Sequence, residues 1–181
     1  MTHISTTTSA SDWSTTLPWG RLSFYSADAS DAGPKIHGAV DMISELANGG
    51  RSSMVFSSAV ATTGTLTERM RLDSSGNLGL GVTPSAWISS SKAIQINTKT
   101  TLAGDTSNGT ILTDNLYLAT GPLFKYLTTA TGTVYQQTNG NHYWYNTPSG
   151  TAGTTASITQ AMTLDASGNL LVGTTSGLGG T

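Results

Sequence analysis

The sequence predicts an all-β protein with little or no helix, and three observations carry that expectation. Apolar and polar residues alternate over short runs, the period of a half-buried strand. Gly, Asp, Asn and Ser punctuate those runs at short intervals, as turns require. One strand-turn-strand motif also occurs twice, in Glu68-Arg-Met-Arg-Leu-Asp-Ser-Ser-Gly-Asn-Leu-Gly-Leu-Gly81 and in Gln160-Ala-Met-Thr-Leu-Asp-Ala-Ser-Gly-Asn-Leu-Leu-Val-Gly173, aligned without a gap.

Residues 1–16 read as a polar N-terminal arm, without the basic-then-apolar order of a signal peptide. Arg21-Leu-Ser-Phe-Tyr25 is the first expected strand. The segment from Lys35 to Leu46 fits both periods, with Ile36, Val40, Ile43 and Ala47 at helical spacing and Ile36, Val40, Met42 and Leu46 in alternation. Gly38 and the β surroundings favour the strand. Met54–Ser58 is an aromatic strand that leads through a Gly/Thr-rich loop into the first hairpin.

In that hairpin Met70 and Leu72 alternate with Arg69, Arg71 and Asp73, and Leu78 and Leu80 alternate with Gly79 and Gly81. Asp73 is expected to bond its own backbone and Gly76 to take a positive φ; Asp165 and Gly168 repeat the device. Gly79 and Gly81 are expected where another backbone approaches closely. Residues 87–91, within Pro84-Ser-Ala-Trp-Ile-Ser-Ser-Ser91, read as a connector. Further strands are expected at Ala93–Asn97, Asn115–Leu118, Thr133–Gln136 and Tyr143–Tyr145, before the second hairpin. The expected division is therefore a first β module at 17–86, a second at 92–176 and a tail at 177–181.

Composition narrows the function. Charged residues make up 10 % of the 181 residues, and Ser, Thr and Gly together supply roughly 40 %, far above ordinary usage. Apolar content is 36 % and the net charge is -2, so the chain folds but offers a thin core. Burial between copies is the expected remedy, and short uncharged side chains suit a crowded interface. Eight scattered Lys and Arg give no footprint for nucleic acid. No run of about 18 apolar residues predicts membrane insertion. Without cysteine there is no disulfide, thiolate or Cys-based metal chemistry.

No catalytic constellation emerges. His3, His37 and His142 stand apart from any nucleophile or carboxylate at motif spacing, and the ten acids are spread singly. Asp73 and Asp165 are accounted for by turns. Asp28–Asp31 and Asp105–Gly109 lack the ligand count of a calcium loop, so neither metal nor cofactor is expected. Gly76-Asn-Leu-Gly-Leu-Gly81 lacks dinucleotide spacing and precedes no helix. The candidate recognition cluster is His142-Tyr143-Trp144-Tyr145, whose ring faces suit a glycan. At strand spacing Tyr143 and Tyr145 share one face and Trp144 takes the other, so packing competes with recognition. Trp13 and Trp19, in the polar N-terminal region, are candidates for anchoring to a neighbouring subunit or virion protein.

The stretch from Gly20-Arg-Leu-Ser-Phe-Tyr25 through Leu66–Pro84, together with the second hairpin, resembles modules of bacteriophage tail fibres and tail spikes. In that family such hairpins commonly precede a C-terminal intramolecular-chaperone peptidase, which residues 176–181 do not supply. The resemblance implies an elongated homotrimeric fibre in the virion, made in the host cytoplasm and bound to other virion proteins and to a host cell-surface glycan. It also leaves two rivals, a spike that cleaves polysaccharide and an architectural capsid or collar fibre without a receptor.

Overall fold

A computed structural model describes residues 2–6, 13–29, 35–60, 64–121 and 123–173, with backbone only for 2–6. The chain is all-β: fifteen strands and no helix occur among the described residues. It divides into two units, Met1–Thr83 and Pro84–Thr181.

The first unit is an antiparallel meander of β1 (Thr2–Thr6), β2 (Pro18–Ser26), β3 (Lys35–Ser44), β4 (Ser52–Val60), β5 (Thr65–Leu72) and β6 (Leu78–Leu80), each paired with the next. The ambiguous segment is thus the strand β3. The expected polar arm is corrected in part, because the backbone of Thr2–Thr6 pairs with β2 from Phe24 to Gly20. Backbone pairing needs no apolar pattern, so polar residues suffice at this edge.

In the second unit β7 (Ser91–Ile96), β8 (Thr100–Asp105) and β9 (Gly109–Asp114) are followed in the sheet by β12 (Ala130–Thr138), β13 (Asn141–Gly150), β14 (Thr159–Leu164) and β15 (Leu170–Val172). The intervening β10 (Leu116–Ala119) and β11 (Leu123–Tyr126) pair only with each other. Their Leu116, Leu118, Phe124 and Tyr126 pack on Ala93, Ala103, Ile111 and Val134 of the sheet, with Trp87 and Ala156 closing the cluster. The connector expected at 87–91 also contributes to this core. Trp87 is a core residue, and the Ile88 amide donates to the Leu118 carbonyl, so the chain turns inward here.

The two hairpin turns are built alike. Asp73 Oδ1 accepts from the amides of Ser75 and Asn77 at 2.9 and 2.7 Å while Oδ2 accepts from Asn77 Nδ2 at 3.1 Å. Asp165 does the same with Ser167 and Asn169 at 2.9, 2.8 and 2.9 Å. Gly76 and Gly168 sit at φ +82° and +86°, open to glycine without strain.

The repeat extends beyond the hairpins to four strands, β3–β6 and β12–β15. Both contain the same bulge: pairing passes from Phe56↔Met70 to Ser57↔Glu68, and from Trp144↔Met162 to Tyr145↔Gln160. The residues bulged out, Arg69 and Ala161, accept from the amides of Gly81 and Gly173, each at 2.9 Å. Val40, Phe56, Met70 and Leu80 thereby correspond to Tyr135, Trp144, Met162 and Val172.

Candidate functional site

Register decides what each face can do. In the second unit Ile94↔Leu102↔Leu112↔Tyr135↔Trp144↔Met162↔Val172 are successive direct partners, so these seven side chains form one row across seven strands. At strand spacing the row is about 29 Å long. None of the seven is buried, and Leu102, Leu112 and Val172 remain 45, 46 and 68 % exposed. The opposite face of the same sheet carries the buried cluster. In the first unit Leu22↔Val40↔Phe56↔Met70↔Leu80 form a matching row, with Met42, Met54, Leu72 and Leu78 in a second one beside it; none of these nine is buried either. A sheet with one face packed would ordinarily carry polar residues on the other. Here the second face carries an apolar row that no described residue buries.

The β12–β13 hairpin holds the aromatic cluster. Its tight turn has Asn139 and Gly140 at φ +51° and +78°, the conformation that matches strand twist. His142 and Trp144 fall on the face of the apolar row, beside Tyr135 with ring centroids 6.0 and 5.0 Å away. Gln137 Nε2 donates to the Tyr135 hydroxyl at 2.9 Å, and that hydroxyl lies 2.6 Å from His142 Nδ1. An open depression of about 460 Å³ borders Trp144, with Asp114, Thr133 and Asn146 on its polar side.

Tyr143 and Tyr145 point to the other face and stack with centroids 6.0 Å apart at 26°. Tyr145 also packs against the core cluster. Burial pushes its phenol pKa up, and the neighbouring Tyr143 adds to the shift. Beside them Gln136 Nε2 donates to the Asn108 carbonyl at 2.8 Å, and Gln160 Nε2 to Thr163 Oγ1 at 2.6 Å. The four-residue cluster expected from sequence is therefore divided between opposite faces. Tyr135, Gln136 and Gln160 complete them across strands.

No family model, curated protein or solved structure matches the chain.

The remaining candidates are engaged in structure. Trp13 and Trp19 meet edge to face at 5.6 Å, and Trp19 Nε1 donates to Ser52 Oγ at 3.3 Å. A Cβ on Gly49 would fall 2.4 Å from the Trp13 ring, so the indole packs closely on the β3–β4 turn. Both rings thus have contacts within their own unit and remain half-buried. Asp41 is held by a bidentate Arg21 at 2.6 and 2.8 Å, and Glu68 by Arg71 at 2.8 and 2.7 Å. Asp105 Oδ2 accepts from Ser90 and Ser91 at 2.6 Å while Oδ1 takes the amides of Ser107 and Asn108. Burial favours its neutral form, but these four donors outweigh that and hold the carboxyl well below the usual carboxylate range. Asp28 lies beside residues 30–34, which are outside the described part. Among the described residues no three His, Asp or Glu side chains converge on a metal-sized site.

Proposed function

We propose that this chain is the self-assembling structural subunit of a bacteriophage fibre, a homotrimer whose shaft carries host attachment. The observation that supports it is the uncovered apolar row. It crosses every strand of the second unit's sheet, recurs across β2–β6, and keeps an aromatic-methionine-aliphatic order in both repeats. Such a face needs a cover. Another copy of the chain is the fitting one, because it brings a row of equal length and neither row carries a charged side chain to be desolvated.

Assembly through the rows assigns Trp144 and Tyr135 to the interface. Attachment chemistry then falls to surface outside the rows, including the part of the opposite face around Tyr143 that the buried cluster leaves partly exposed, which the fibre would present outward to virion proteins and to host glycans. The test is the mass in solution at micromolar concentration. The proposal expects three times the 18.7 kDa of the chain; a monomer would refute it.

A further inference from the structure

The two repeats share their apolar rows but differ systematically on the other face. In the first repeat that face reads Arg21↔Asp41↔Val55↔Arg71, with both arginines in ion pairs. In the second, Asp41 is replaced in the equivalent position by Gln136, Val55 by Tyr143, Ser57 by Tyr145 and Arg71 by Thr163. The Glu68–Arg71 ion pair becomes the Gln160–Thr163 hydrogen bond, on the same bulged stretch of strand. Asp41 and Glu68 have been exchanged for amides and Arg71 for a hydroxyl, the position of Arg21 is taken by Ile111, and two tyrosine rings have been added.

A sheet needs none of these exchanges to pack. Gln136 and Gln160 each spend their amide N–H on a protein acceptor. Their carbonyl oxygens, and the hydroxyls of Tyr143 and Tyr145, have no partner among the described residues. The patch thus joins stacked aromatic faces, suited to the C–H side of a pyranose, with acceptors and donors suited to its hydroxyls. It has no cation to hold a carboxylate or phosphate and no anion to hold an amine.

We infer that Tyr143, Tyr145, Gln136 and Gln160, with the buried Thr163 holding the Gln160 amide in place, form a binding site for a neutral saccharide. The inference rests on the proposed assembly for its outward placement, which would also repeat the site on each copy so that weak single contacts add up.

The test titrates the full chain with neutral hexasaccharides (malto-, manno- and cello-series) and with an acidic hexamer of galacturonate, read by NMR, with the mass of every variant measured in parallel. A neutral hexamer is expected to shift the Tyr143 and Gln160 signals. Tyr143→Ala should weaken it at least tenfold, and the milder Gln160→Ala should weaken it measurably, both at unchanged mass. Binding of the acidic hexamer alone, binding unaffected by both variants, shifts confined to Trp144, or no binding at all would overturn the site. A monomeric wild type refutes the assembly by itself, while the Tyr143 and Gln160 titrations still decide the saccharide site.

Discussion

Replacing Leu102 and Leu112 together by Thr tests the assembly where it is most exposed. Threonine keeps the strand propensity, and the packed face of β8 and β9 is untouched. Full burial of a leucine side chain is worth about 1.5–3 kcal/mol. With 45 and 46 % of each residue still exposed in the single chain, the share left for an interface is about 1 kcal/mol apiece. That makes about 2 kcal/mol per chain and about 6 kcal/mol per trimer, or roughly a 10⁴-fold weaker association constant. Sedimentation across a concentration series should show the double variant dissociating where the parent does not, with its β circular dichroism retained. Assembly of the variant at the parent's concentrations would refute the reasoning that this row is the interface.

Other consequences are local. Asn115 is fully buried at φ +61°, accepts from the Thr128 amide and hydroxyl, and donates to the Thr128 and Thr131 carbonyls. Asn115→Ala should therefore cost about 3 kcal/mol in denaturant unfolding, because it leaves buried groups unpaired and puts a methyl side chain in the left-handed region. The carboxyl of Asp105 is depressed in the folded state, so the folded chain binds fewer protons there than the unfolded one. Its contribution is complete above the unfolded value, about pH 4, and is lost as pH falls through the folded one. Asp105→Asn should accordingly be less stable than the parent at pH 7, and urea unfolding should show that difference shrinking below pH 4.

Much of the fold is legible in the sequence because its signals are local. Alternation in Ala93–Asn97 and the Asp-x-Ser-Gly-Asn turns depend on neighbours a few residues away, and both hairpins close as their turn chemistry requires. Three features depend on distant partners and leave little local trace. Thr2–Thr6 has no apolar period, since an edge strand needs only backbone pairing. Trp87 sits among Ser and Pro, and only the β10–β11 hairpin makes it core. The Thr- and Gly-rich β8 and β9 show weak periodicity, although the Asp105–Gly109 turn between them is visible.

The site was readable in parity but not in composition. Strand spacing alone separates Trp144 from Tyr143 and Tyr145. The seven-residue row requires the register of six strand pairs, which no single segment encodes. The exchange of Glu68 and Arg71 for Gln160 and Thr163 is present in the aligned repeats themselves. It acquires meaning only once the bulge shows that these positions share the face of Tyr143.

The assembly proposal is met most directly by one measurement, the mass of the full chain by light scattering at micromolar concentration. The account predicts three times 18.7 kDa, unchanged on dilution to the lower end of that range. A particle of 18.7 kDa, stably folded with its apolar rows in water, would contradict it.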